Sequence, residues 1–298
     1  MDRLQRLLRD AGVRTETEYP LAPRSSFRIG GAARLAVFPT DRGQMLTALR
    51  FVVDSNLPYA VIGNASNVVF SDGGFDGVVL FTGAFKQVTR EGQYLICCAG
   101  ATLASLARTA CAASLSGLEF AHGIPGTVGG AIFMNAGAYG GCMADICVCS
   151  EYFDAEHGEV RCLTGEAQGF GIRTSIYEKN PHDTVLSATL RLEVDDPRSI
   201  EAKMREFAKR RHQSQPLEFP SAGSVFKRPH GYFAGKLIED CGLKGSRVGG
   251  AEVSEKHAGF IVNRGGATAE DVRLLVERIQ TTVLAQTGVA LEPEIRFL

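Results

Sequence analysis

The chain has 298 residues, 45% of them hydrophobic and 22% charged, with Lys+Arg 32 against Asp+Glu 33 and a formal net charge of -1. That composition excludes a disordered chain, and its charge balance offers no overall basic field for a nucleic-acid backbone. The 34 glycines follow no collagen period and sit in no Pro/Ser-rich tract, so they serve turns and close backbone approaches.

The N-terminal run MDRLQRLLRDAG carries charges throughout and is no secretory signal. No stretch approaches the roughly 18 apolar residues of a membrane span, so the cytoplasm is expected, with no membrane or nucleic-acid partner and no obligate protein partner. Eight cysteines (97, 98, 111, 142, 147, 149, 162 and 241) form no CxxC pair. Reduced thiols packed as small hydrophobes, and no metal, are the reading.

In chain order, Leu4, Leu7 and Leu8 mark a short amphipathic helix. Phe27 to Pro39 reads as a strand entered through Gly30-Gly31, and Met45, Ala48, Leu49 and Val52 fall at helical spacing. Tyr59 to Ile62, Val68 to Phe70 and Val78 to Phe81 are short strands. Tyr94 to Ala99 and Val185 to Val194 are strand-like around a helix capped by Thr102, with Leu103, Leu106, Ala107 and Ala110 on one face. Ile200, Met204, Phe207 and Ala208 set a helix ending in Lys209-Arg210-Arg211. A last helix runs from the capping box Thr268 to Asp271 as far as Gly288, and Val289 to Leu298 closes as a strand. Three units are expected: 1–84, 85–195 and 196–298.

Residues Gly117 to Gly141 hold eight glycines, yet no G-x-G-x-x-G between a strand and a helix and no GxxxxGK[ST] occur. Neither a dinucleotide fingerprint nor a P-loop is supported. What remains is a loop whose backbone N–H groups can face anionic oxygens. Gly63 to Asn67 is a second such loop directly after a strand, with Ser66 and Asn67 as further donors. Two such loops suggest a pyrophosphate held between them.

Specific motifs then follow in order: Phe27-Arg-Ile-Gly-Gly31, Val61-Ile-Gly-Asn-Ala-Ser-Asn67, Gly123-Ile-Pro-Gly-Thr-Val-Gly-Gly130, Met134-Asn-Ala-Gly-Ala-Tyr139, Arg173-Thr-Ser175, Pro220-Ser-Ala-Gly-Ser-Val-Phe-Lys227 and Leu291-Glu-Pro-Glu-Ile-Arg296. From about residue 20 to its end the chain resembles the UDP-N-acetylenolpyruvoylglucosamine reductase family of bacterial cell-wall flavoenzymes. The short span from Pro229 to Leu237 resembles the shorter type, which lacks an inserted loop carrying a tyrosine.

The resemblance implies an α+β protein. Its two-subdomain FAD-binding fold is of the vanillyl-alcohol-oxidase (PCMH-type) kind, followed by a C-terminal α/β domain for the UDP-sugar. FAD would be held non-covalently by Gly63, Asn64, Ala65, Ser66 and Asn67 in one loop. Gly123, Ile124, Pro125, Gly126, Thr127, Gly129 and Gly130 would hold it from the other. Hydride would pass from NADPH to FAD and on to the enolpyruvyl ether of UDP-N-acetylglucosamine.

By the same resemblance Arg173 meets the substrate carboxylate, where an enediolate-like charge develops, and a two-pronged permanent cation suits that task. Glu294 is the second group at the carboxylate; burial would protonate it whereas a nearby arginine would ionise it. Ser224 matches the proton donor. Lys227 and Lys244, with Arg228 beside them, match positions at the substrate diphosphate. The chain departs from the family pattern at Ala65, where glycine is common and a methyl fits only at negative φ. It departs again at Ser25-Ser26, in place of Asn-Thr, and at Ile172, in place of tyrosine. A related FAD oxidoreductase acting on another alcohol or acid would keep both loops without needing Arg173, Ser224 and Glu294 together.

Overall fold

A computed structural model describes all residues, Met1–Leu298. By compactness the chain divides into two units. The first comprises Met1–Thr17, Leu35–Asn64 and Gly77–Arg210; the second comprises Glu18–Arg34, Ala65–Asp76 and Arg211–Leu298. This partition is discontinuous and differs from the three sequence stretches 1–84, 85–195 and 196–298. The strands Arg14–Pro20, Ala32–Phe38 and Phe75–Phe81 each contain a unit boundary, so neither unit is a single stretch of sequence.

The first unit holds two apolar cores. One gathers Leu4, Leu8, Leu35, Met45, Leu49 and Leu80 with their neighbours. It lies along the sheet whose strands run, in spatial order, Arg14–Pro20, Ala32–Phe38, Phe75–Phe81 and Tyr59–Ile62, the last two pairing in parallel. The helix Arg42–Asp54 starts where the Asp41 side chain accepts from Gln44 N, and it buries Met45, Ala48, Leu49 and Val52 as its spacing predicts. The helix Asp2–Asp10 buries Leu4 and Leu8 but leaves Leu7 exposed, so its apolar stripe is narrower than the sequence reading.

The other core lies around a five-stranded sheet ordered Glu159–Thr164, Cys147–Asp154, Thr184–Arg191, Tyr94–Cys98 and Val88–Glu91. The Thr102-capped helix Leu103–Ala112 packs Leu103, Leu106, Ala107 and Ala110 into it. Ile200 and Met204 of the helix Pro197–Ser214 join the same core, and that helix continues through the basic group instead of ending there. In the antiparallel register Cys149 lies opposite Thr164 and Glu151 opposite Cys162. Cys149 and Cys162 are thereby diagonal neighbours and are joined in a disulfide, so the expectation of eight reduced thiols becomes six free ones.

The second unit has an antiparallel sheet ordered Ser221–Ser224, Phe260–Asn263, Ala251–Val253 and Arg247–Val248. The helix Ala269–Thr287 packs on it through Val272, Leu275, Ile279 and Val283. It begins at the Thr268/Asp271 capping box and ends at Gly288 with φ 71°, both as read from the sequence.

Two strand expectations need correction here. Extended structure begins at Ala32, not Phe27, because Arg28 (φ 59°) and Gly30 (φ 128°) turn the chain. A side chain at Gly30 would sit 2.5 Å from Phe70 Cβ. Of Val289 to Leu298 only Arg296–Phe297 is a strand, parallel to Val68–Val69. Pro293, with no N–H to donate, makes an isolated bridge to Phe226. His257 is half-buried against Phe260 and accepts from Gly259 N at 3.1 Å; burial lowers its pKa.

Candidate active site

In the first unit the two glycine loops come together. Asn64 Nδ2 donates to Pro125 O at 3.0 Å, and a Cβ on Gly63 would lie 2.2 Å from Thr127 Oγ1. Glycine is needed at 63 because Thr127 is buried and its Cγ2 and Cβ also stand 3.1 and 3.2 Å from that position. The second loop uses part of its backbone to hold itself. Leu103 N donates to Gly126 O, Val128 N to Ala101 O and Gly129 N to Ala99 O. The N–H groups of Gly63, Asn64, Gly123, Gly126 and Thr127 have no partner within the chain. Such groups suit an anion with many oxygens, so these residues fit the pyrophosphate of FAD.

The first loop continues through Ala65, Ser66 and Asn67 into the second unit, where two sequence readings change. Ala65 adopts φ 46°, the left-handed region, not the negative φ on which tolerance of its methyl was predicated. Its carbonyl accepts there from the backbone N–H of Ser26 at 3.3 Å. Asn67 was read as an amide donor to a phosphate, but its Nδ2 donates to Glu294 O at 3.0 Å and its carbonyl accepts from Arg296 N at 3.0 Å.

Ser224 ends the strand Ser221–Ser224 opposite Phe260. The register shifts between Ser221 and Ser224, and Gly223 at φ 80° makes the bulge that re-aims the following side chain. Ser26, in one of the departures noted above, supports this strand: its hydroxyl donates to Ser221 O at 2.7 Å and Ser221 N donates to Ser26 O at 3.2 Å. Glu294 N donates to Val225 O at 2.7 Å, so the structure brings Glu294 alongside the residue that follows Ser224. Both Ser224 and Glu294 are half-buried.

Arg173 belongs to the first unit. It occupies a turn closed by a bridge between Gly171 and Thr174, with Gly171 N donating to Thr174 O at 3.0 Å. Its φ is 55°, and Ile172 beside it is 78% exposed, the most solvent-facing large apolar side chain of the chain.

The candidate diphosphate lysines are both engaged in ion pairs. Lys227 Nζ lies 2.7 Å from Glu292 Oε1, and Lys244 Nζ lies 2.8 Å from Glu239 Oε1. The Lys244 ammonium holds the Glu239 carboxyl below the usual carboxylate range. Arg228 is exposed, donating to Tyr232 O at 3.3 Å with its guanidinium 4.0 Å from the Phe233 ring centroid. A bound diphosphate would compete with Glu292 and Glu239 for the two lysines.

Two further residues lie near the glycine loops, and the motifs alone assign neither of them a role. His122, directly before Gly123, has a buried Nδ1 without a hydrogen-bond partner. Burial, with Arg108 nearby, pushes its pKa down. Asn135 has φ 42° and its buried side chain donates to Gly171 O at 2.8 Å. An asparagine just past a helix end is the one local signal for such a left-handed position.

Comparison with known proteins bears on this arrangement. Residues 33–163 match the family described as an FAD binding domain, and residues 215–298 match the UDP-N-acetylenolpyruvoylglucosamine reductase C-terminal domain. The UDP-N-acetylenolpyruvoylglucosamine reductase of Clostridium perfringens strain SM101 is 44% identical over 281 residues, covering 94% of this chain and 92% of that one. The crystal structure of UDP-N-acetylenolpyruvylglucosamine reductase from Thermus caldophilus superposes with a TM-score of 0.80 at 36% identity, covering 96% of this chain and 98% of that one. Physcomitrella patens BBE-like 1 shares the fold alone, with a TM-score of 0.52 at 17% identity over 97% of this chain and 61% of that one.

Proposed function

Because this chain belongs to the UDP-N-acetylenolpyruvoylglucosamine reductase family, we propose that Arg173, Ser224 and Glu294 carry its chemistry and that NADPH is its reductant. The protein is an FAD-dependent oxidoreductase of peptidoglycan precursor synthesis that reduces the enolpyruvyl ether of a UDP-sugar. When bound, FAD supplies the hydride chemistry. All other demands fall on the chain's own residues.

The unpartnered N–H groups of Gly63, Asn64, Gly123, Gly126 and Thr127 would hold the FAD pyrophosphate, in the loops that also contain Ala65, Ser66, Asn67, Ile124, Pro125, Gly129 and Gly130. Lys227 and Lys244 exchange their carboxylate partners for the substrate diphosphate, with Arg228 beside them. Arg173 pairs with the enolpyruvyl carboxylate as charge develops on it, a task for which one well-placed donor is worth about 3 kcal/mol. Ser224 delivers the proton to the neighbouring carbon; a hydroxyl is a weak acid, so the acceptor must be strongly basic, as an enediolate is. Glu294 orients the carboxylate end. The observation that supports this assignment is the backbone bond from Glu294 N to Val225 O, which brings the Glu294 main chain alongside the residue that follows Ser224. The proposed compartment is the cytoplasm, and six of the eight cysteines are free thiols, with Cys149 and Cys162 joined.

Anaerobic mixing tests the reading. The bound flavin is reduced with NADPH, the enolpyruvyl ether of UDP-N-acetylglucosamine is added, and the flavin absorption band is followed. Rapid reoxidation is expected, and in Arg173→Lys it slows by about 100-fold. An Arg173→Lys protein that reoxidises at the wild-type rate would remove Arg173 from the mechanism.

A further inference from the structure

Arg173 holds a conformation that an isolated L-residue avoids at a cost of roughly 1–2 kcal/mol, in a turn whose neighbour Ile172 points into solvent. Something must therefore hold the turn, and its two ends are both tied to one short segment. At the leading end, Gly171 O accepts from Asn135 Nδ2 at 2.8 Å. At the trailing end, Ser175 Oγ donates to Phe133 O at 2.7 Å and accepts from Tyr177 N at 3.3 Å. Asn135 is itself fixed, since its Oδ1 accepts from Ala144 N at 2.9 Å. Asn135 and Ser175 are both buried, so water does not compete for these bonds. Phe133 and Asn135 flank the C-terminal end of the helix Val128–Phe133, which starts directly after Thr127 of the second glycine loop.

From this geometry we propose that Asn135 and Ser175 are positioning residues for Arg173. They hold its guanidinium at the substrate carboxylate by pinning the turn Gly171–Thr174 to the helix that leaves the flavin loop. The proposal rests on the role of Arg173 given above. Neither residue touches the reacting atoms. A peptide turn released at one end moves its side chain by an ångström or more, and misplacement on that scale costs about 100-fold in rate.

The test separates the two half-reactions by anaerobic stopped flow in the FAD-loaded enzyme, and measures flavin content alongside. Asn135→Asp is close to isosteric, tolerates left-handed φ and retains the acceptor for Ala144 N. It places an oxygen where the donor to Gly171 O had been. Ser175→Ala removes the other tie. Flavin content and the rate of flavin reduction by NADPH are expected to stay within about twofold of wild type. Reoxidation by the enolpyruvyl ether slows by about 100-fold in N135D and about tenfold in S175A. In a double-mutant cycle N135D adds nothing to R173K, because a misplaced lysine and a well-placed one fail alike.

Variants that retain flavin and reoxidise at the wild-type rate would overturn the proposal, as would equal slowing of both half-reactions or effects that multiply with R173K. Should N135D lose its flavin, S175A decides by the same criteria. R173K slow with N135D and S175A normal overturns this proposal alone. R173K at the wild-type rate overturns the role of Arg173 and this proposal with it.

Discussion

The two units hold their proposed catalytic groups by different means. In the first unit Arg173 stands on a turn fixed by side-chain bonds, Asn135 to Gly171 O and Ser175 to Phe133 O. In the second unit Ser224 and Glu294 are fixed mainly by backbone pairing, Ser224 opposite Phe260 and Glu294 N on Val225 O. A group held by main-chain bonds keeps its place when a neighbouring side chain changes, because every residue except proline supplies the same N–H and C=O. A group held by side chains is only as secure as one or two specific residues. The first unit should therefore be brittle around its functional arginine and the second tolerant around its serine and glutamate.

The largest effect that sharpens this contrast comes from Ser224→Ala. Its backbone pairing is untouched, so folding and flavin binding should be unchanged. Transfer of the proton should slow by about 10²–10⁴-fold, read as slow reoxidation of reduced flavin by the enolpyruvyl ether. A folded Ser224→Ala protein with wild-type turnover would assign the proton to another donor.

Asn67→Ala is the counterpart of the Asn135 substitution in the second unit. It removes the side-chain bond to Glu294 O but leaves the Glu294 N to Val225 O bond in place. Stability should fall by about 1 kcal/mol and turnover by no more than about threefold. Denaturant melts and steady-state rates check this. A loss as large as that expected of N135D would break the comparison, since it would show Glu294 to depend on one side chain after all.

The smallest effect concerns Ala65, a strained residue whose carbonyl is held by Ser26. Glycine relieves a left-handed cost of about 1–2 kcal/mol and loses about 0.4–1 kcal/mol to the greater freedom of the unfolded chain. Ala65→Gly should stabilise the protein by about 0.5 kcal/mol, a rise in Tm of about 1–2 °C. A fall in Tm would mean that the alanine methyl makes packing contacts worth more than the strain.

Much of this was legible in local sequence, and the reasons differ from element to element. The helix Ala269–Thr287 was readable end to end because its capping box, apolar period and left-handed glycine all act within a few residues of themselves. The helices after Asp41 and Thr102 were readable on the same grounds. The strand expected at Val289 to Leu298 was not, because most of that segment pairs through single bonds to residues about 70 and 230 positions away in the chain. Nor was the diagonal closeness of Cys149 and Cys162, which follows from a cross-strand register. The second use of Asn67 escaped for a similar reason: a motif says which atoms can donate, not which acceptor the fold brings to them.

By itself, then, the sequence determined the chemistry available and the class of protein: ordered glycine motifs, a serine, an arginine and a glutamate in family-specific surroundings, and helices whose ends are written in their caps. Only the tertiary structure decided how those groups are held. It packed Gly63 against Thr127, put Ala65 and Arg173 into left-handed conformations, turned Asn67 toward Glu294 and tied the arginine turn to Asn135. The physical reason is range. Capping, periodicity and turn chemistry act over a few residues, whereas each of these arrangements is a packing contact or a hydrogen bond, or a conformation kept by one, between segments distant in sequence.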